Sequence, residues 1–144
     1  MVSDIIAQLG QDRNGRLYLV WYTEGSGEPS IHLATSDDQG RTFSTPHSIG
    51  YARGTFPDAP VIAVSGTGRV YATWYESSPV VSRVFLRESS DRGRTIEAPK
   101  QLNDGPRRAH HPVVALGGGR AAFVWADEHY TGSRAAFRLL TFEP

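Results

Sequence analysis

The chain has 144 residues, enough for one domain with a real core. Fifteen Lys and Arg balance fifteen Asp and Glu, so bulk electrostatics point to neither nucleic acid nor an anionic membrane surface. The absence of Cys excludes disulfides and thiolate metal sites, and no run approaches the roughly 18 apolar residues of a membrane span. Met1 to Ile6 lacks a basic region followed by a long apolar stretch, so no signal peptide is expected in this chain. Gly and Pro punctuate short alternating apolar stretches, and no segment carries a sustained helical period, which predicts an all-β chain. Repeat one opens with Ile5-Ile6-Ala7, then a polar turn from Gln11 to Gly15, then Leu17 to Tyr22. A Gly-rich loop at Glu24 to Gly27 leads to a third strand, Ser30 to Ala34, and Thr45 to Ile49 forms an outer fourth strand. Repeat two copies this order with Val61 to Val64, Val70 to Tyr75, Arg83 to Arg87 and Ala98 to Leu102. Repeat three has Val113 to Leu116, Ala121 to Trp125 and Ala135 to Leu140, and no fourth strand. The Gly117-Gly118-Gly119 run between its first two strands reads as a tight hairpin turn, since no helix follows it to bind phosphate.

A short motif marks the register. Ser36-Asp37-Asp38-Gln39-Gly40-Arg41-Thr42-Phe43 returns 53 positions later as Ser89-Ser90-Asp91-Arg92-Gly93-Arg94-Thr95-Ile96. Trp21, Trp74 and Trp125 follow nearly the same interval, each near the end of the second strand of its unit, and read as packing residues. In the motif, Ser and Asp oxygens accept backbone N–H bonds within the turn. Gly40 and Gly93 supply positive φ, and Phe43 and Ile96 are expected to pin the far end into a core. Arg41, Arg92 and Arg94 fall between the motif positions and are expected in solvent. The chain divides into three units of about 1–50, 51–103 and 104–144 within a single domain.

The Ser-x-Asp-x-Gly-x-Thr turn resembles the Asp-box, or bacterial neuraminidase repeat (BNR), of sialidase-like β-propellers. The resemblance covers nearly the whole chain for fold. It implies three four-stranded antiparallel blades, the last incomplete, as half of a six-bladed propeller. Because propellers need about 4–8 blades to close, the expected partner is a second copy of the chain in a homodimeric ring. A fragment of a longer propeller and a compact monomeric sandwich of strands are the alternatives. The resemblance also implies a secreted or cell-surface setting.

In the family the Asp boxes are structural: Ser36, Asp38, Gly40, Thr42 and Phe43 in the first, Ser89, Asp91, Gly93, Thr95 and Ile96 in the second. The ligand face is the opposite one. Its connections supply Arg53, Asp58, Glu76, Arg107, Arg108, His110, Asp127 and Tyr130, a set rich in Arg, His, Tyr and carboxylates that suits a sugar or another small polar ligand. Sialidases hold the substrate carboxylate with three arginines, one of them two positions before a Pro; here Asp58 and His110 stand two positions before Pro60 and Pro112. The arginine triad is therefore missing where the motif predicts it. His110, His111, Asp127 and His129 are metal-ligating types, but adjacent residues on a strand point to opposite sides, so no metal and no cofactor is expected. The resulting expectation is a carbohydrate or small-ligand binding module. An exo-sialidase type of glycoside hydrolase and a non-catalytic scaffold are the alternatives.

Overall fold

In a computed structural model, the described residues are 6–23, 29–50, 54–104, 108–129 and 132–141. Their eleven strands form three antiparallel sheets, and there is no helix among them. The first sheet is β1 (Ala7–Gln11), β2 (Leu17–Thr23), β3 (Ser30–Ser36) and β4 (His47–Gly50), paired in chain order. The second repeats the layout with β5 (Phe56–Val64), β6 (Val70–Ser77), β7 (Ser82–Ser89) and β8 (Lys100–Gln101). The third has three strands, β9 (Arg108–Gly117), β10 (Arg120–His129) and β11 (Gly132–Thr141), with β10 in the centre.

The sheets stack face to face in sequence order. β5 packs against β1, β2 and β3, and β9 packs against β5, β6 and β7. Two apolar layers result. The first joins Tyr18, Val20, Ile31, Leu33 and Ile49 of the first sheet to Ile62, Val70, Ala72 and Trp74 of the second. The second joins Tyr71, Val84, Leu86 and Leu102 to Ala109, Ala121, Phe123 and Trp125. Successive side chains on a strand alternate between faces, so Val70, Ala72 and Trp74 turn one way while Tyr71 and Thr73 turn the other. The second sheet is thus covered on both sides, and β6 is apolar from Val70 to Trp74 except at Thr73, with the buried Glu76 near its end. Thr73 is fully buried and meets the burial requirement by donating its hydroxyl to Phe85 O at 2.8 Å.

The register of the repeat survives in three dimensions. Leu17 pairs with Ser36 and Val70 with Ser89; Trp21 lies opposite His32, Trp74 opposite Phe85 and Trp125 opposite Ala136. The strands differ from the sequence expectation mainly at the inner edge. β1 runs to Gln11 into the expected turn, and β5 and β9 begin well before Val61 and Val113. The cause is a bulge in each of β5 and β9 that carries the ladder past Pro60 and Pro112, whose missing N–H would otherwise end it. Asp58, Arg108 and His110, expected in connecting loops, therefore stand on strands, as do Glu76 and Asp127 at the ends of β6 and β10.

Both Ser-x-Asp-x-Gly-x-Thr turns close on themselves in the same way. Gly40 N donates to Ser36 Oγ at 2.9 Å and Thr42 N to Asp38 Oδ1 at 2.8 Å, while Gly93 N donates to Ser89 Oγ and Thr95 N to Asp91 Oδ1, each at 2.9 Å. The Thr42 and Thr95 hydroxyls complete the ring on Asp38 Oδ2 and Asp91 Oδ2. Gln39 and Gly40, like Arg92 and Gly93, have positive φ. These bonds favour the charged carboxylates, and the Thr42 and Thr95 hydroxyls foremost hold Asp38 and Asp91 down to about 2. Two expectations fail here. Arg92 is not simply solvated: its Nε donates at 2.9 Å to Asp12 Oδ2, a buried carboxylate in the β1–β2 turn of the neighbouring sheet, which also accepts from the Tyr18 hydroxyl at 3.1 Å. Phe43 does not enter a core. It is 41% exposed, because among the described residues no sheet lies on that side of the first sheet, whereas Ile96 packs into the first apolar layer.

Candidate functional site

The bulges in β5 and β9 share an unusual backbone. Ala59 has φ of 47° and His111 has φ of 52°, each one residue before a Pro. Positive φ is uncommon for residues other than Gly and costs of order 1–3 kcal/mol. Both bulges sit at the same point of their repeats, so Asp58 and His110 come to equivalent places on neighbouring strands. Asp58 lies opposite Tyr75 on β6, and His110 opposite Ala126 on β10.

Between them stands Tyr75. Its hydroxyl donates to Asp58 Oδ2 at 3.1 Å. Its ring centroid lies 6.2 Å from that of His110, edge-on, and 5.5 Å from that of His111. Burial, then the charge of Asp58 and the hydrogen bond to it, push the Tyr75 phenol up to about 12, so it is a donor at neutral pH. His110 Nε2 lies 2.9 Å from Glu128 Oε1, and its Nδ1 lies 2.6 Å from Nδ1 of His111. With His110 Nε2–H donating to the Glu128 carboxylate, its Nδ1 is left to accept from Nδ1–H of His111. The chain Glu128–His110–His111 then leaves Nε2 of His111 as an acceptor. One cluster, half-buried at Asp58, Tyr75 and His110 and exposed at His111 and Glu128, thus offers a phenol, a carboxylate at Asp58, an imidazole acceptor and a second carboxylate at Glu128.

The sequence-predicted residues divide into three groups. Asp58 and His110 meet in this cluster. Glu76 is nearly buried and committed elsewhere: it accepts from Trp74 Nε1 at 2.9 Å and from the Thr55 hydroxyl at 3.0 Å. Arg108 is exposed and donates to Pro79 O at 3.1 Å, capping the β6–β7 loop. Asp127 stands in β10 in register with Ala109 and Arg134, two positions after Trp125 as Glu76 is two after Trp74. Being one methylene shorter, it does not reproduce the indole bond, and Trp125 Nε1 is buried with no hydrogen-bond partner among the described residues. Arg53, Arg107 and Tyr130 lie outside the described residues.

Of this cluster, Tyr75 was missed as a site residue by sequence reasoning, and His111 was weighed there only as a metal-ligating type. Tyr75 follows a packing Trp on a core strand and reads as its neighbour in the core. The available signal was the repeated x-x-Pro at Asp58-Ala59-Pro60 and His110-His111-Pro112, which marks both bulges. Among the described residues, no group of three or more His, Asp or Glu side chains is placed to hold a metal ion. His111 also borders a depression of about 370 Å³ on the outer face of the third sheet, lined by Val113, Val124, Trp125, Ala126, Arg134 and Ala135.

No protein-family model matches the chain, and no curated protein matches it. Among solved structures it is similar to a crystal structure of a protein of unknown function from Dyadobacter fermentans, with a TM-score of 0.66 and 18% identity. The match covers 94% of this chain and 40% of the other, so the chain spans well under half the length of that protein. At this identity the likeness is one of fold.

Proposed function

We propose that the three sheets are consecutive blades of a sialidase-like, Asp-box β-propeller, and that the chain is a binding module for a carbohydrate or another small polar ligand. The ligand sits at Asp58, Tyr75, His110, His111 and Glu128. The observation that carries this reading is the pair of bulges. Positive φ at both Ala59 and His111 is a strain that a purely structural inner strand does not need, and it brings Asp58 and His110 to either side of Tyr75. Sugars present hydroxyls that both donate and accept, and the cluster offers a partner for each role beside an aromatic face. The Asp boxes and the face-to-face stacking of sheets in chain order support the propeller reading.

The hydrolase reading gains little from the same geometry. A phenol pushed up to about 12 and donating to Asp58 is a poor nucleophile, and Arg108 is turned to a loop carbonyl. Titration calorimetry of the chain against neutral and acidic oligosaccharides, guided by a glycan array, tests the proposal. Binding that weakens by roughly tenfold in Tyr75→Phe and in Asp58→Asn is the expected result, the size of one hydrogen bond to a charged group. No binding to any glycan, or binding indifferent to both substitutions, overturns it. Turnover of a fluorogenic sialoside that is lost in Tyr75→Phe would replace the binding module with a glycosidase.

A further inference from the structure

The two sheet-to-sheet contacts among the described residues are built from equivalent positions, and one half of that contact is exposed on the third sheet and the other half on the first. On the face that each sheet turns to its successor, Val20 and Leu33 of the first sheet are 0% and 1% exposed, and Thr73 and Leu86 of the second are both 0% exposed. The same two positions of the third sheet are Val124 and Phe137, which are 38% and 80% exposed; Leu139 beside them is 48% exposed. They line up across the strands, Val113 opposite Val124 and Val124 opposite Phe137. On the reverse face, Val70, Ala72 and Trp74 of the second sheet are buried against the first, and Ala121, Phe123 and Trp125 of the third are buried against the second. Their counterparts Leu17, Leu19 and Trp21 on the first sheet are only half-buried, with Leu9 next to them 58% exposed.

We infer that the bare face of the third sheet receives the bare face of the first sheet of a second copy, continuing the interface already present twice within the chain. Within the chain, the knob of that interface is a Trp. Trp74 packs so tightly on the preceding sheet that a Cβ on Gly50 would lie 2.8 Å from its indole, beside Ile31. The position of Ile31 in the third sheet is held by Ala135, and the smaller side chain borders the 370 Å³ depression together with Val124 and Ala126. The indole that would fill it is Trp21 of the second copy. Trp21 already stands as Trp74 does: it stacks on His32 with centroids 5.4 Å apart, as Trp74 stacks on Phe85 at 5.9 Å. Phe43, exposed here, would be covered as Ile96 is.

A contact between unlike faces is heterologous, and two copies close it into a ring of six sheets with two identical junctions. Apolar faces of this kind are seldom left open on a soluble monomer. The inference rests on the repeat register and packing, so it stands or falls independently of whether the Tyr75 cluster binds a sugar.

Sedimentation equilibrium and native mass spectrometry of the 144-residue chain across micromolar concentrations test it. A species of twice the chain mass is expected. Trp21→Ala on one face and Phe137→Arg on the other should each weaken association by about thirtyfold or more, the effect of losing a buried aromatic anchor. Both residues lie on faces outside the two internal apolar layers, so an unchanged urea midpoint at monomer-level concentration shows that each variant folds. Mixing the two variants leaves one intact junction per pair and should restore part of the association, which a symmetric like-to-like contact would not do. A monomer across the range, an assembly indifferent to both substitutions, or an open-ended polymer overturns the inference. The first of these outcomes would assign the bare faces to further sheets of a longer polypeptide instead.

Discussion

Trp74 and Trp125 occupy one position of the repeat, yet only one has a partner for its indole N–H. Trp74 Nε1 donates to Glu76 at 2.9 Å, and Trp125 Nε1, 95% buried, donates to nothing among the described residues. The difference lies in Glu76 against Asp127, one methylene. An exchange of lengths should therefore exchange stabilities. Glu76→Asp draws the carboxylate back by about 1.5 Å, one carbon–carbon bond, and stretches the contact well beyond hydrogen-bond range. A buried donor left unsatisfied costs about 1–3 kcal/mol, so Glu76→Asp should lose about 2 kcal/mol, including the bond from Thr55. Asp127→Glu should gain about 1 kcal/mol, less than the full value because Asp127 has interactions of its own to give up. Equilibrium unfolding in urea, followed by Trp fluorescence, reads both changes as opposite shifts of the midpoint at constant slope. If Asp127→Glu leaves the midpoint in place while Glu76→Asp lowers it, the orphaned indole is not a stored cost and the reasoning fails.

Two further outcomes concern the Ser-x-Asp-x-Gly-x-Thr turns. Gly40 and Gly93 share φ near +80°, but a Cβ at Gly40 has room while one at Gly93 would lie 3.1 Å from Thr35 Cγ2. Gly40→Ala should cost about 1–2 kcal/mol from left-handed backbone alone, and Gly93→Ala clearly more, as thermal and urea melts of the pair would show. For pH, the folded values of Asp38 and Asp91, about 2, lie below the value near 3.9 of an unfolded Asp. Their contribution is full above about pH 4 and is lost as the pH falls toward 2, so the urea midpoint should drop across that window. Asp38→Asn with Asp91→Asn should flatten the drop, leaving the share due to Asp12, whose pKa Arg92 and the turn N–H groups depress against its burial.

The repeat was legible because its signals are local. A Ser, an Asp and a Gly at fixed offsets can build a turn without help from the rest of the chain, and Trp21, Trp74 and Trp125 fix the strand register by spacing alone. What stayed hidden depends on neighbours. Pro60 and Pro112 read as strand beginnings because Pro donates nothing to a ladder, and only the bulges let β5 and β9 continue past them. The contact of Arg92 with Asp12 spans 80 positions and joins two sheets, so nothing near either residue announces it. Phe43 and Ile96 are the same residue of the motif by spacing, and their different fates are set by whether a sheet lies beside them. In the candidate site, Asp58 and His110 were visible as polar residues at repeated offsets, whereas Tyr75 was masked by the apolar strand that carries it.

The double covering of the second sheet has a consequence for how the chain opens. The first and third sheets each have one face that water reaches, and the second has none. Local opening begins where few apolar contacts must be broken. The amides of β10 and β11 should therefore exchange with deuterium through partial opening that leaves β6 and β7 closed. Those of Val70 to Trp74 should exchange only when the whole chain unfolds, which makes the middle of the sequence the clock for global stability.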